Sequence, residues 1–456
     1  MCPFLIHITI LHAYHMGSLL VNLYLQKQAP ILDRCLLFVS ILSDRKPPQT
    51  GGNKMRVNTE IFYNKNFLFY WLSAVITSLG DSIFVIALTW LLVEKTGSPA
   101  VVGTYLFILG ISKLVFIIIG GAAVDRFDPK KLLLWSTLIR AAVILLSLSA
   151  VYSDFGGVWI FYLMSAIFGS VDAIAEPAAI TARTRIVTKE FYTQSMGLLM
   201  TAGNVSAIIG PMLGAGLVAA GSTETAIIIN ALIFMAAAFL LSRVNITSER
   251  EPEQTGRMWQ NIKDGFSYFL HTPIILTMAI FAFFSNAAVG AILLSIPFLS
   301  EELGFGVSGY GMMNTAIAIG GAAGSVLFSL AAINNPKPWM TLLTCFIQGI
   351  FILLTGVTGN LFMITALIAL IGLQEAAVNV IAPSVNHAMI PSRMFGRVIS
   401  VMILVMSGSV PLSQAAAGWL METVEPQTIF IYEGLLEMVA AFCTFLLPFV
   451  RKFEKL

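Results

Sequence analysis

Eight ionisable residues interrupt the long apolar runs of this sequence. Six are acids and two are bases: Asp81, Asp172, Glu176, Glu375, Glu433 and Glu437, with Lys113 and Arg140. An ionisable group inside an apolar span costs about 2.5–3.5 kcal/mol on insertion scales, so each one needs a partner or a function. Because burial disfavours a charged carboxylate and the acids outnumber the bases, we expect some acids to be protonated part of the time. The pattern predicts reversible proton binding.

The spacing of the acids places some of them on a shared helical face. Asp172 and Glu176 are four residues apart and share one face of a helix, so we predict that they couple transport to protons or bind substrate. Glu375 stands at the corresponding position of the second half and is predicted to bind a proton or a cation. Glu433 and Glu437 also share a face, and we expect them to pair with a neighbouring helix or to reach the outer interface.

The two bases lie at depths where they could meet acids of the first half. Lys113 and Arg140 are therefore predicted to form structural ion pairs with Asp81 or Asp172, because salt bridges also hold helices together inside membranes. Asp81 remains a second candidate for proton or substrate binding.

The elements that carry these residues are membrane helices. The chain has 456 residues, of which 57% are hydrophobic and only 11% charged, whereas roughly 25% are charged in soluble domains. We predict an all-α membrane protein with twelve transmembrane helices. The spans are expected near residues 67–93, 99–121, 132–152, 158–181, 196–220, 226–242, 272–299, 307–331, 338–358, 361–384, 396–421 and 428–450.

Composition also divides the chain into four parts. Residues 1–54 are expected to be a poorly structured leader that is not translated, with Met55 as the start, and 55–242 a first six-helix bundle. Residues 243–271 read as a cytoplasmic linker, with an amphipathic helix over 258–270, and 272–456 as a second bundle. After Met55, 18 Lys and Arg residues fall in the termini and loops of one side against Lys95 alone on the other, which predicts cytoplasmic termini.

The two bundles read as repeats. Gly169 precedes Asp172 by three residues, as Gly372 precedes Glu375, and Pro211 and Pro411 are 200 positions apart. We expect two parallel six-helix repeats around a site near the middle of the membrane.

The loop after the second span carries the run GGAAVDRFDPKK, Gly120 to Lys131. It resembles the motif between the second and third spans of the major facilitator superfamily. The resemblance implies a conformational latch in which Asp125 caps or pairs near the start of the eleventh helix, with Arg393 and Arg397 as its partners. The matching loop positions are Gly121, Asp125, Arg126, Lys130 and Lys131.

The fifth span carries GNVSAIIGPMLGAG, which resembles the glycine- and proline-rich motif of drug and metabolite exporters. It predicts close helix contacts at Gly203, Gly210, Gly214 and Gly216 and a kink at Pro211. Residues 60–245 resemble the branch of the superfamily that contains macrolide, multidrug and enterobactin-type exporters.

These observations together predict a secondary active transporter rather than an enzyme. We expect proton-coupled efflux of amphiphilic, macrolide-like or cationic drugs from a monomer in the bacterial cytoplasmic membrane. The expected partners are the lipid bilayer and a small-molecule substrate, with no nucleic acid. The sequence shows no metal-ligand spacing and no phosphate-binding loop, so no cofactor other than a proton gradient is expected. Export of an endogenous metabolite such as a siderophore is the alternative, and a non-transporting receptor is a third reading.

Overall fold

A computed structural model describes residues 59–152, 157–246, 266–330, 335–391 and 393–453. The predicted all-α fold is confirmed, since twelve helices in these ranges are long and apolar enough to cross a membrane. We number them in chain order: α1 Lys65–Thr96, α2 Pro99–Arg126, α3 Pro129–Tyr152, α4 Gly157–Ile186, α5 Tyr192–Ala220, α6 Thr223–Ser242, α7 Pro273–Glu302, α8 Gly306–Leu330, α9 Pro338–Gly356, α10 Leu361–Met389, α11 Phe395–Leu420 and α12 Pro426–Leu446.

Local chemistry explains where several helices begin. The side chains of Ser98, Ser222 and Asn360 accept hydrogen bonds from backbone amides in the first turns of α2, α6 and α10. Such caps satisfy amides that have no partner within the helix. Proline, which lacks an amide hydrogen, occupies the first turn of α2, α7, α9 and α12.

Several observed helix ends differ from the prediction, and three of these differences involve helices that contain or precede a proline. Helices α4 and α10 continue to Ile186 and Met389 although each contains an internal proline. The last predicted span, 428–450, is instead divided: α12 ends at Leu446, and Pro448 begins a four-residue helix, α13 Pro448–Arg451. Leu447 is extended there, as is usual for a residue that precedes proline.

The structure does not describe residues 1–58 and 247–265. The predicted leader, 1–54, and most of the predicted linker, 243–271, therefore lie outside the described residues. Residues 266–271, at the end of the predicted amphipathic helix, are helical. Residues Phe69–Leu456 form one compact unit, and all tertiary contacts described below lie within it.

Matched glycines hold together the second and fourth helices of each half. A Cβ on Gly169 would collide with the carbonyl oxygen of Leu109 on α2, and a Cβ on Gly372 would collide with the carbonyl oxygen of Ile317 on α8. Gly169 and Gly372 are the two positions that the sequence comparison of the halves matches to each other. The two halves therefore use the same close helix contact at corresponding positions.

Adding a methyl group at Gly372 is expected to destabilise the protein. Gly372→Ala should lower the melting temperature, because the α10 backbone would have to move away from α8. The matched control is Gly216→Ala on α5, where nothing lies within 4 Å of an added Cβ. There alanine should be neutral or stabilising, by up to about 1 kcal/mol. Equal melting temperatures for the two variants in the same detergent would contradict this account of the packing.

Close contacts between the halves lie toward one end of the helices. On α2 and α11, Gly110 packs on Pro411, and Gly418 packs on the carbonyl of Pro99. On α5 and α8, Gly311 packs against Ala215, and Thr315 Oγ1 donates to the carbonyl of Ile208 at 3.3 Å. We call this end, where α1 ends and α2 begins, the contact end. The other we call the basic end, since its connections carry most of the Lys and Arg residues.

The predicted glycine contact on α5 is present at two of its four glycines. A Cβ on Gly210 would meet the Ser82 side chain, and one on Gly214 would meet Ile83 and Ile86, all on α1. Gly203 and Gly216 have open space around them, so the structure does not bring either into a close helix contact. Pro211 lies inside α5 and its carbonyl faces Gly311 of the second half.

Candidate functional site

Arg140 lies at the centre of a group of charges in the middle of the first bundle. Its side chain is only 4% exposed, and its Nη1 lies 3.0 Å from Asp81 Oδ1 and 3.1 Å from Asp172 Oδ1. The guanidinium therefore joins α1, α3 and α4. A buried guanidinium needs such partners, because an unpaired charge in this environment is costly.

Lys113 extends this group from α2. Its Nζ lies 2.9 Å from Asp172 Oδ2 and 3.8 Å from Glu176 Oε2. Asp172 thus gives one oxygen to Arg140 and the other to Lys113. We call Asp81, Lys113, Arg140, Asp172 and Glu176 the charge network; it runs continuously from a buried end at Arg140 to an exposed end at Glu176, whose side chain is 52% exposed.

The charge network holds three carboxylates and two cations, so with every group ionised it carries one excess negative charge. Arg140 and Asp172 each make two ion pairs, at 3.1 Å or less, toward the buried end. Glu176 has the longest ion pair of the four and the most exposed side chain. The arrangement can therefore be neutralised at Glu176 by one proton or by one monovalent cation.

Aromatic rings close the network on the contact-end side. Phe168 and Phe234 place their ring centroids 5.8 and 5.2 Å from Arg140 Cζ, within the range of cation–π attraction. Phe84 stacks on Phe168 with centroids 4.1 Å apart. Phe84 follows Asp81 on α1 and Phe168 precedes Asp172 on the antiparallel α4, so both lie toward the contact end. The charges are thus reached from the basic end.

A cavity of about 330 Å³ contains all five network residues and continues toward the basic end. Two polar groups in its wall are already satisfied: Tyr70 Oη donates to the carbonyl of Ala179 and Ser73 Oγ to that of Ala237, each at 2.9 Å. Besides the five charged groups, the wall contains the hydroxyl side chains of Thr77, Ser78 and Thr137. Every lining residue belongs to the first half: Tyr70, Ser73, Ala74, Thr77, Ser78, Asp81, Lys113, Leu133, Thr137, Arg140, Asp172, Ala175, Glu176, Ala179 and Leu241.

Sequence reasoning missed the polar wall of this cavity. Tyr70, Ser73, Thr77 and Asp81 recur every three or four residues on α1, which places them on one helical face. That stripe was visible in the sequence, but none of its uncharged members stands out alone. The sequence signal for the polar wall is that these uncharged polar residues lie on the same helical face as the intramembrane acid Asp81.

The structure does not bring Glu375 into the charge network. It is half-buried on α10, in the other bundle, and none of the ion pairs of the charge network includes it. Its predicted role in binding a proton or a cation stays a prediction.

The loop predicted to act as a latch is described in part. The side chain of Asp125 is outside the described part of the structure; Arg126, Lys131 and Arg393 are exposed, and Arg397 is half-buried in the first turn of α11. Lys130 Nζ donates to the carbonyl of Ser242 at 2.9 Å, so it ties the start of α3 to the end of α6 within the first half.

The tight glycine of this loop motif is Gly120. A Cβ on Gly120 would meet Ile174 Cα at 2.9 Å, whereas nothing lies within 4 Å of one on Gly121, the position that the resemblance assigned. The latch itself stays a prediction.

Comparison with known sequences gives relatives along most of the chain. The Bacillus subtilis (strain 168) protein "Uncharacterized MFS-type transporter YkuC" is 22% identical over 353 residues, covering 74% of this chain and 81% of the relative. "Multidrug efflux pump Tap" of Mycobacterium tuberculosis (strain CDC 1551 / Oshkosh) is 21% identical over 394 residues, covering 84% and 93%.

Solved structures show the same fold. The crystal structure of the nucleoside transporter NupG superposes with a TM-score of 0.66 at 14% identity, covering 85% of this chain and 100% of that one. A bacterial homologue of the human lysosomal transporter Spinster gives a TM-score of 0.59 at 15% identity, covering 86% and 95%. The twelve helices, the matched glycine contacts and these superpositions agree on the fold.

The sequence profile of the Major Facilitator Superfamily matches residues 70–333 and 278–455, nearly all of the described chain. The family and the relatives are transporters rather than enzymes. This chain is a multi-pass membrane protein and belongs to the Major Facilitator Superfamily.

Proposed function

We propose that this transporter is a proton-coupled antiporter that exports amphiphilic, cationic small molecules. The observation that carries the proposal is the excess carboxylate of the charge network. It is exposed at Glu176, in the wall of the cavity that continues toward the basic end. Protons and organic cations are the species that such a site binds in competition. The similarity to the efflux pump Tap supports the direction of transport.

The coupling step follows from the geometry of Lys113. When Glu176 is ionised, Lys113 lies between two carboxylates, at 2.9 Å from Asp172 and 3.8 Å from Glu176. Protonation of Glu176 breaks its longer ion pair with Lys113, and Lys113 stays paired with Asp172 alone. A bound organic cation needs Glu176 ionised, so the cation enters as the proton leaves. The exchange of one for the other is antiport.

Access to the site alternates between the two membrane faces in this proposal. The halves contact each other closely at the contact end, and the cavity extends from the charge network toward the basic end. We assign the basic end and both termini to the cytoplasm of a bacterial cell from the distribution of Lys and Arg. The structure then corresponds to the state that takes up substrate from the cytoplasm. The functional unit proposed is a monomer.

Glu422 reinforces the closed contact end. It follows α11, and its Oε1 accepts hydrogen bonds from the Ser98 hydroxyl and from the Ala100 amide, the latter at 3.1 Å. It thereby joins the second half to the first turn of α2, where a carboxylate also favours the helix dipole. The hydrogen bond from Ser98, followed by that from Ala100, lowers the pKa of Glu422 below its ordinary value.

We expect Glu422→Gln to open the contact end more often. Because the pKa of Glu422 is lowered in this state, its contribution is complete above the ordinary glutamate pKa and is lost as the pH falls through the lowered value. Cysteine labelling at Thr104, in a Thr104→Cys variant, should be faster in Glu422→Gln than in the parent. Glu425→Gln, on the same loop, is the control. Equal labelling of the parent and Glu422→Gln would contradict a clamping role.

Export of an anionic metabolite such as a siderophore fits the site less well. Both cations of the charge network are engaged by carboxylates at 3.1 Å or less. An anion would therefore have to displace an ion pair before it could bind.

Efflux from whole cells tests the proposed function. Cells loaded with ethidium should lose it faster when they express the protein, and a protonophore should abolish the difference. Growth under iron limitation tests the siderophore alternative in the same strains. Protection from cationic compounds that persists with the protonophore would contradict proton coupling, and a phenotype confined to iron limitation would contradict drug export.

A further inference from the structure

The second half contains two carboxylates that the charge network does not use. Glu433 and Glu437 are one helical turn apart on α12. Glu437 lies about 16 Å along this helix at 1.5 Å per residue, which is near its middle. Its residue surface is only 3% exposed, so the carboxyl group is buried deep in the second bundle.

One oxygen of Glu437 is bonded and the other is not. Ser285 Oγ on α7 donates to Glu437 Oε1 at 2.8 Å, and Cys345 Sγ on α9 lies 3.7 Å from the same hydroxyl. Glu437 Oε2 is buried and has no hydrogen-bond partner among the described residues, and the same is true of Glu433 Oε2. A buried polar atom without a hydrogen bond costs folding free energy.

Among the described residues, neither Glu433 nor Glu437 has an ion pair with a cation. Between Pro273 and Leu446 the basic residues are Lys337, His387, Arg393 and Arg397, all in or beside connections at the basic end. A buried carboxylate without a counter-charge costs several kcal/mol, whereas a neutral carboxylic acid does not carry that penalty. The surroundings of Glu437 therefore suit the protonated acid, whose Oε2 carries the proton while Oε1 accepts from Ser285.

The other helices near Glu437 add polar groups, and their cations among the described residues, Arg397 on α11 and Arg451 on α13, lie toward the basic end. On α9, Gln348 follows Cys345 by three residues, is 2% exposed, and has an Nε2 atom without a partner among the described residues. On α10, Glu375 is half-buried. The ionisable residues of α7 and α11 are at helix ends: Glu301, Glu302 and Arg397.

A cavity leads to the outer member of the pair. It measures about 310 Å³ and lies between α7, α11 and α12, with Ser409, Ser413 and Glu433 in its wall. Glu437 is one turn deeper along α12, beyond this wall. Glu433 is thus the member of the pair that lines the cavity, and Glu437 is not in its wall.

We propose that Glu433 and Glu437 form a proton-binding pair in the second bundle, separate from the charge network, with Glu437 as the buried proton carrier and Glu433 as its access group. The ligand is a proton, which adds to Glu437 Oε2 when the carboxylate is neutralised and returns through Glu433 when it leaves. This pair does not depend on the identity or direction of the transported substrate.

Infrared difference spectroscopy of the full-length protein in lipid tests this directly, because a protonated carboxyl group has its own C=O stretching band. The wild type should show such a band at neutral pH and lose it in alkali. Glu437→Gln should remove the band, and Glu301→Gln, at the exposed end of α7, should leave it unchanged. A band that persists in Glu437→Gln, or the absence of any protonated-carboxyl band in the wild type, would overturn the proposal.

Two milder variants keep the test decisive if Glu437→Gln does not fold. Ser285→Ala removes the donor to Oε1 and should move the band to higher frequency, with the band lost at a different pH. Glu433→Gln should slow the exchange of the Glu437 proton without removing its band. An unchanged band position in Ser285→Ala together with unchanged exchange in Glu433→Gln would refute the pair. These readouts do not require transport, so a failed efflux assay would leave them intact.

Discussion

Replacing Arg140 with glutamine is expected to destabilise the first bundle by about 2 kcal/mol and to abolish transport. Arg140 supplies the only cation within 4 Å of the Asp81 carboxylate among the described residues. Breaking a fully buried ion pair costs roughly 3–5 kcal/mol. We expect less here because the Asp81 and Asp172 side chains are 36% and 27% exposed, which lets water and a proton relieve the remaining charge.

A double variant separates this charge effect from a loss of packing. Asp81→Asn combined with Arg140→Gln removes the stranded carboxylate, so it should recover much of the melting temperature lost in Arg140→Gln. A double-mutant cycle on melting temperature in one detergent measures the coupling between the two side chains. Additive effects would mean that the 3.0 Å contact contributes little and that Arg140 acts through Phe168 and Phe234 instead.

The second large effect is expected at Glu176. Glu176→Gln leaves two acids and two bases in the charge network, so a cation is no longer attracted by an excess charge. We expect gradient-driven efflux of ethidium to fall about tenfold, the change that 1.4 kcal/mol produces. Because Glu176 is half-exposed and contributes only the 3.8 Å pair, the melting temperature should change little. Efflux in everted membrane vesicles energised by a pH gradient measures the loss.

The matched control for this variant is Glu190→Gln. Glu190 is an exposed acid in the short connection before α5, outside the cavity. Its replacement changes the net charge of the protein by the same amount, so efflux should stay at the wild-type rate. Equal efflux in all three proteins would show that the Glu176 carboxylate is not needed for coupling.

The fold could be predicted from the sequence because lipid allows few alternatives. Every backbone polar group in a span must be satisfied within the protein, so long apolar runs become helices. The repeat spacing from Gly169 and Gly372 also corresponds to real contacts, since both glycines lie against a neighbouring backbone. Helix ends were less predictable: α4 and α10 continue past a proline, and Pro448 divides the last predicted span.

The ion pairs of the candidate site could be predicted where an acid and a base lie at the same depth along their membrane helices. Asp81, Arg140 and Asp172 each lie near the middle of their helices, and the structure places both carboxylates within 3.1 Å of the guanidinium. The assignment of Glu375 followed from repeat spacing alone, which fixes a position along a helix and not a partner. No cation faces it among the described residues, because the bases of its half lie in or beside connections at the basic end.

The burial of Glu437 was not evident in the sequence. The spacing of Glu433 and Glu437 left open whether they reach a neighbouring helix or the outer interface. The structure favours the first, because Ser285 donates to Glu437 and a backbone contact between Gly349 and Gly434 draws α9 close to α12. Close approach through small residues depends on both helices, so neither sequence segment reveals it alone.

Proton release on substrate binding tests the central claim most directly. The protein purified in a weakly buffered detergent solution is mixed with ethidium at a series of starting pH values while the solution pH is recorded. The account predicts that ethidium binding releases protons from the wild type, that the release is lost in Glu176→Gln, and that it is retained in Glu190→Gln. Ethidium binding to the wild type without proton release at any pH, or undiminished release in Glu176→Gln, would contradict it.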